Sequence, residues 1–316
     1  MAVILFDAGG DTILGEGSRL TARRIKKRKS KMNNIVILGA AGQLGHDLCG
    51  RLGSRAVGLT HREVELCDRE SLTRALSSLQ PRVVINTAAF NFVDDAETRA
   101  GEAFAVNAFG VRELSLVCRD LGCRLIHFST DYVFGLDRSR TQPYLEADAP
   151  GPVNAYGTSK LTGECFVRSL CPQHLVIRTC GLYGLKGSGG KGRNFVNTIA
   201  RLGRERDRLN VVSDQICTPT SVADLADATC RLLDIDATGV LHVTNTGACS
   251  WHQFAVEILR ATGSTAACEA ITTAEYGGAA PRPGYTVLAT QRYEQLTGHT
   301  PRGWREALRE HLQNLV

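Results

Sequence analysis

Ile35-Val36-Ile37-Leu38-Gly39-Ala40-Ala41-Gly42-Gln43-Leu44-Gly45 is a short apolar run that breaks into a glycine turn, and a helical stretch follows through Leu48 to Leu52. Glycines at 39, 42 and 45 allow a tight turn and close approach of a ligand to the backbone. Free N–H groups at the helix start then face an anion such as a pyrophosphate. The spacing is GxxGxxG rather than GxGxxG, so the reading rests on the strand before the glycines and the helix after them.

Outward from this turn, strand and helix alternate. Ala56 to Leu59, Val83 to Asn86, Arg124 to Ser129 and Leu175 to Arg178 read as further strands, and the longest intervening helix runs from Ala100 to Leu121. This alternation predicts an α/β fold: a Rossmann-type doubly wound parallel sheet. Beyond residue 180 the pattern loosens. Gly184 to Gly192 holds five glycines with Lys186 and Lys191 and reads as a mobile loop over a ligand. Then come a helix from Asn194-Phe195 through Arg201, a strand at Leu209 to Val212, a helix from Ser221 to Leu233, a last strand at Val240 to Val243 and a helix from Trp251 to Arg260. Residues 32–180 are therefore expected to form an NAD(P)-binding domain with returns near 209–246, and residues 181–316 mainly a smaller C-terminal substrate-binding domain.

The second strand ends at Thr60-His61-Arg62. An acidic residue there would bind a ribose 2′-hydroxyl and select NAD, whereas Arg62 is placed to meet a 2′-phosphate. NADPH is the expected cofactor, with NADH the alternative because Glu63 is adjacent. Asp68 opens the next helix, as an N-cap or an adenine contact. Ala88 and Ala89, after the third strand, leave room for a flat group against the backbone. Asn107 sits among apolar neighbours as a core amide or as an anchor for the active site.

A second motif follows the fourth strand. Ser129-Thr130-Asp131-Tyr132-Val133-Phe134 leads on to Tyr156-Gly157-Thr158-Ser159-Lys160. Tyr156 and Lys160 are four apart, so a helix starting after Asn154 puts both on one face. The ammonium is expected to favour the phenolate, giving a proton donor and acceptor near neutral pH, with Thr130 supplying a hydroxyl to the same point. Such a set suits hydride transfer to or from a carbonyl carbon.

Composition excludes several classes. No apolar run has the ~20 residues a membrane span needs, and no signal peptide begins the chain, so a soluble cytoplasmic protein is expected. Eleven cysteines without a CxxC pair read as reduced small hydrophobes, with no metal-ligand spacing. The net charge of +5 is carried by residues 1–31, with eight basic and three acidic residues; the remainder is balanced. Residues 1–31 thus read as a disordered basic leader, or as a start placed upstream of Met32, and nothing in the body argues for nucleic acid.

From Met32 to about Arg309 the chain resembles the extended short-chain dehydrogenases/reductases, and within them the dTDP-4-dehydrorhamnose reductase family. The matching segments are Gly42-Gln43-Leu44-Gly45, Asn86 to Phe90 with Val93-Asp94 and Ala96-Glu97, Ser129 to Phe134, Asn154 to Gly157 with Ser159-Lys160 and Gly163-Glu164, Arg178-Thr179, Asn194-Phe195, Asp214-Gln215 with Pro219-Thr220, and Arg282-Pro283. The resemblance implies reduction of the C4 keto group of dTDP-4-dehydro-L-rhamnose by NADPH. In that reading Tyr156 protonates the oxygen, Thr130 hydrogen-bonds it, and Lys160 tunes Tyr156 and holds the nicotinamide ribose. Gly39, Gly42, Gln43, Leu44 and Gly45 cradle the pyrophosphate, Ala88 and Ala89 line the cofactor cleft, and Phe90, Val93, Asp131, Asn194, Phe195, Gln215 and Arg282 belong to the nucleotide-sugar site. Related dehydratases carry a second carboxylate where this chain has Tyr132, which favours simple reduction.

Two positions depart from the family pattern. Arg178-Thr179-Cys180-Gly181 stands where Arg-Thr-Ser-Trp is usual, removing an indole expected to stack on the sugar, and Cys217 replaces a usual glycine. The resemblance leaves two alternatives: a reductase of another 4-keto nucleotide sugar, and a non-catalytic regulatory subunit like the beta subunit of methionine adenosyltransferase. A homodimer is compatible with either.

Overall fold

The computed structural model describes residues 35–186 and 194–314; the basic leader 1–31 and residues 187–193 of the glycine-rich loop lie outside the described residues. The glycine turn connects strand β1 (Ile35–Leu38) to helix α1 (Gln43–Leu52). There follow β2 (Ala56–Leu59), α2 (Arg69–Leu79) and β3 (Val83–Asn86). Helix α3 is composite: Ala100–Phe104, a π-helical turn at Ala105–Gly110, and Val111–Leu121. Then come β4 (Arg124–Thr130), α4 (Ala155–Leu170) and β5 (His174–Thr179).

The five strands and β10 (Gly239–His242) form one parallel sheet in the order β10-β5-β4-β3-β1-β2. Strand order reverses between β1 and β3, so α1 follows β1 onto one face and α3 follows β3 onto the other, while the Thr87 hydroxyl ties the two strand ends at the Leu38 and Gly39 carbonyls. The crevice outside these ends is where an open α/β sheet takes its ligand. The apolar runs are continuous because helices cover both faces. Ile37, Ile85, Ile126 and Ile177 pack with Leu44 and Leu48 of α1 on one side. Val36, Leu38, Val84 and Val176 pack with Leu72, Leu114 and Val167 on the other. Gly45 belongs to this packing: a Cβ there would stand 2.3 Å from the Gly39 carbonyl oxygen, so any side chain would push α1 off the turn.

A second core lies beyond β5. It is built from β6 (Leu182–Tyr183), α5 (Phe195–Glu205), β7 (Arg208–Val212), β8 (Ile216–Cys217), β9 (Thr220–Ser221), β11 (Cys249–Ser250), α7 (Trp251–Ala261), β12 (Ala267–Ile271) and α9 (Trp304–Gln313), while α6 (Val222–Asp234) and α8 (Gln291–Thr297) pack back on the first core. Tyr183, Ile199, Leu209, Phe254, Ile258 and Trp304 form its centre. Of the expected returns to the first sheet, Gly239–His242 joins it, whereas Arg208–Val212 pairs instead with Ala267–Ile271. The latter strand follows no apolar run in the sequence, because it is half exposed on the edge of a two-stranded sheet. All eleven cysteines are free thiols, and among the described residues no helix is long and apolar enough to cross a membrane.

Candidate active site

Two cavities meet at the carboxyl end of β4. One, of about 590 Å3, runs past the glycine turn between Thr60 and His61 on one side and Ala88, Ala89 and Lys160 on the other. The second, of about 710 Å3, opens towards the second core and is lined by Val93, Asp131, Asn194, Phe195, Gln215 and Arg282. Ser129, Tyr156 and Thr179 line both. The hydroxyls of Ser129 and Thr179 are buried without a protein partner, so the junction has hydrogen-bonding capacity left for a ligand.

Helix α4 places the central pair. Asn154 caps it, accepting from the Gly157 N–H at 2.8 Å, and its amide nitrogen donates to the Pro281 carbonyl at 2.9 Å. Tyr156 is thus fixed in the first turn, with Lys160 one turn on. The helix lies close to its neighbours: a Cβ at Gly157 would meet the Tyr132 carbonyl oxygen at 2.2 Å, and one at Gly163 the Asn107 carbonyl oxygen at 2.2 Å. Asn107, inside the π turn, ties the same region together. Its amide donates to the Phe90 carbonyl and to Ser159 Oγ, and its oxygen accepts from the Phe90 N–H.

Thr130 hydrogen-bonds Tyr156 and donates to Asp131 Oδ1 at 3.0 Å, while its oxygen accepts from the Tyr132 N–H at 3.2 Å. Asp131 also accepts from the Cys180 thiol at 3.0 Å and from Thr286. Burial nevertheless raises the Asp131 carboxyl above its usual range.

The electrostatics differ from the sequence-based expectation. Burial pushes the Tyr156 phenol up to about 12, opposed by its hydrogen bond with Thr130. The ammonium does not offset this, because Lys160 Nζ is directed to the Phe128 carbonyl at 2.7 Å. Lys160 is itself pulled down to about 8 by burial, with the Glu164 carboxylate one turn along acting the other way. Tyr156 is therefore a neutral phenol over the whole physiological range, a donor rather than a base.

Beneath this pair lies an ion pair that motif reading quoted without assigning a role. Arg178 Nε and Nη2 donate to the two Glu164 oxygens at 2.9 and 2.7 Å, with both side chains at most 2% exposed. Buried His127 is held neutral, well below its ordinary value, by burial and then by the Lys160 charge.

The remaining expected residues separate into two groups. Gly39, Gly42, Gln43, Leu44, Gly45, Ala88 and Ala89 come together along the first cavity. Helix α1 begins at Gly42 with no side-chain cap, so its first N–H groups are open to an anion there. Arg62 and Asp68 stand outside the lining; Asp68 caps α2 by accepting from the Glu70 N–H at 2.9 Å. The Glu63 carboxylate is occupied by the backbone and hydroxyl of Thr60. In the second cavity, Asn194 caps α5 and donates to the Gly184 carbonyl at 2.7 Å, Gln215 donates to Thr273 at 2.9 Å, and Arg282 pairs with Asp94 at 2.8 Å. Phe90 is not brought to either cavity: its ring lies 5.4 Å from the Arg99 guanidinium and 5.6 Å from Phe92. Sequence reasoning passed over Asn91, Thr179, Tyr276 and Trp251, which all reach the cavities. Of these, Thr179 stands in the quoted segment Arg178-Thr179 without an assigned role, and Trp251 follows the serine of a capping box.

The sequence profile of the RmlD substrate binding domain matches residues 32–316. The chain is 40% identical over 285 residues to the spore coat polysaccharide biosynthesis protein SpsK of Bacillus subtilis, covering 89% of this chain and 98% of that protein. It is 38% identical over 288 residues to a dTDP-4-dehydrorhamnose reductase of Mycolicibacterium smegmatis, covering 89% and 86%. A crystal structure of dTDP-4-dehydrorhamnose reductase from Bacillus anthracis in complex with NADP superposes with a TM-score of 0.84 at 34% identity, covering 89% of this chain and 99% of that one.

Proposed function

The chain belongs to the RmlD substrate binding domain family, and on that premise we propose that it reduces the C4 keto group of dTDP-4-dehydro-L-rhamnose with NADPH. The observation that carries the reading is the convergence of Thr130, Tyr156 and Lys160 where the glycine-turn cavity meets the second cavity. A dinucleotide fits the first cavity through the uncapped start of α1, the small residues Ala88 and Ala89, and the spare N–H groups of Lys160. NADPH, when bound, supplies the hydride.

The protein's own residues handle the proton. Tyr156 Oη gives its proton to the oxygen as charge develops on the former carbonyl. A phenol near 12 is acidic enough for an alkoxide and still fully protonated at neutral pH. Thr130 orients the same oxygen. The Lys160 ammonium, two donors of which remain after the Phe128 carbonyl, meets the ribose and holds the cofactor beside the phenol.

Reduction is favoured over elimination by the groups lining the second cavity. Asp131 is its one carboxylate among the described residues and is already taken up by three donors, while Tyr132 fills the place of a second acid. The test is a panel of 4-keto-6-deoxyhexoses carried on dTDP, UDP and GDP, with NADPH consumption and product identity followed. The dTDP-linked 4-dehydro-L-rhamnose is expected to give the highest kcat/KM. A preference for a UDP- or GDP-linked sugar would overturn the substrate assignment.

A further inference from the structure

Gln43 is the first residue of α1, directly after the uncapped Gly42, and its side chain lines both cavities. It reaches across the cleft to the second core, where Asn194 Nδ2 donates to Gln43 Oε1 at 3.1 Å. The Asn194 amide is held from two other sides. Nδ2 also donates to the Gly184 carbonyl at 2.7 Å, and Oδ1 accepts from the Asn197 N–H at 3.0 Å as the cap of α5. The Gly184 carbonyl needs a donor and the Asn197 N–H an acceptor, so these two partners fix which end of the Asn194 amide is which. Both hydrogens of Nδ2 are then used, and the residue is 8% exposed. Asn194 therefore has no donor left for a sugar, although it lines the second cavity. The same reasoning orients Gln43. Its oxygen must face Asn194, which leaves Nε2, with two hydrogens and no partner among the described residues, beside the open N–H groups of α1.

We propose that Gln43 and Asn194 couple the two ligands: a cofactor diphosphate accepting from Gln43 Nε2 holds Gln43 Oε1 on Asn194 and so sets the α5 wall of the substrate cavity. Asn194 is then a positioning residue that acts through this hydrogen bond. The proposal rests on the nucleotide-sugar reading above and moves Asn194 from sugar contact to support of the wall. Helix α5 is an element that such a bond can set. Phe195, Thr198, Ile199 and Leu202 on it line the cavity, while Val196 and Ala200 anchor it in the second core. Without an anion, the Gln43 side chain gives up rotamer freedom for one neutral hydrogen bond. With Nε2 on a diphosphate oxygen, a charge-assisted bond already orders the side chain, and the bond to Asn194 forms with no further loss. Cofactor binding thus strengthens binding of the sugar nucleotide, and by linkage the reverse holds with the same factor.

The coupling is read on the full-length protein with dTDP-L-rhamnose and 2′-phospho-ADP-ribose, which carries the diphosphate of NADPH without the nicotinamide and so neither reacts with the sugar nor touches it. Calorimetry gives the Kd of dTDP-L-rhamnose with and without saturating 2′-phospho-ADP-ribose. The second compound is expected to tighten the first about 5-fold, the scale of one hydrogen bond, whereas adenosine 2′,5′-bisphosphate, which lacks the diphosphate, leaves it unchanged. Asn194→Ser keeps a helix cap but cannot reach Gln43, so the ratio should fall to within about twofold of 1 while 2′-phospho-ADP-ribose alone binds as before. Gln43→Met, of similar length but without the amide, should weaken 2′-phospho-ADP-ribose alone and abolish the ratio as well. The double variant should lose no more coupling than either single one, because all three lack the same bond. A wild-type ratio near 1, an equal effect of adenosine 2′,5′-bisphosphate, or a ratio kept in either variant would overturn the inference. A residue that only supports the fold would weaken dTDP-L-rhamnose alone and leave the ratio. If dTDP-L-rhamnose binds in neither state, the nucleotide-sugar reading fails and this inference with it. Should Asn194→Ser lose its thermal transition, Gln43→Met decides alone.

Discussion

In the proposed reaction Tyr156 and Lys160 divide the work of one proton. With the phenol up near 12 and the ammonium down near 8, the phenol keeps its proton at every working pH and the lysine is the group that titrates. Replacing Tyr156 by Phe removes the donor and leaves the cavity shape, so turnover is expected to fall on the order of 10²-fold or more with NADPH affinity unchanged. Stopped-flow turnover and fluorescence binding check the two halves separately. Because Lys160 acts as the cation, kcat/KM should fall with a single-proton slope as pH rises through about 8. Lys160→Arg, which cannot lose its charge, should lower the rate but flatten that limb. An unchanged limb in the arginine variant would assign the titration to another group. At the end of β2, Arg62 is exposed while Glu63 is engaged with Thr60. Arg62→Glu is expected to shift the ratio of kcat/KM towards NADH, and an unchanged ratio would show that Arg62 does not meet the 2′-phosphate.

Helix α4 and strand β5 are locked together by Glu164 and Arg178, fully withdrawn from water with two hydrogen bonds between them. Glu164→Gln leaves a buried guanidinium without its counter-charge and should cost about 3–5 kcal/mol in urea unfolding, whereas breaking an exposed pair such as Arg99–Glu102 should leave the transition essentially where it was. Elements with strong apolar runs were readable from the chain alone. β1, β3 and β5 sit between two helical layers and so each shows as a stretch of Ile, Val and Leu, and β4 as Leu125-Ile126 with Phe128. β12 escaped because Ala-Cys-Glu-Ala-Ile is half exposed, and the π turn in α3 escaped because its periodicity resembles an ordinary helix. The same limit governs the site. Tyr156 and Lys160 announce themselves by a four-residue spacing, whereas the contact of Trp251 with Gly181 spans seventy residues of chain and exists only after the second core closes. The direction of the Phe90 ring depends on Arg99 and Phe92, which no motif specifies.

The two cores together build one crevice: the glycine turn at the end of β1 and the phenol on α4 come from the first, and the second core furnishes the opposite wall. Among the described residues, all those lining this crevice lie after Met32, and the profile match starts at residue 32. Removing residues 1–31 should therefore leave the thermal transition and kcat within about twofold, and a larger loss would mean that the basic segment docks on the body. All the roles given to these residues presuppose that the crevice performs chemistry. That is tested most directly by following NADPH consumption when the purified full chain is mixed with dTDP-4-dehydro-L-rhamnose. Stoichiometric oxidation of NADPH with formation of dTDP-L-rhamnose is expected, largely abolished in Tyr156→Phe. No turnover by the wild-type protein, together with co-purification of a synthetase, would contradict an enzymatic role and identify the fold as a regulatory subunit.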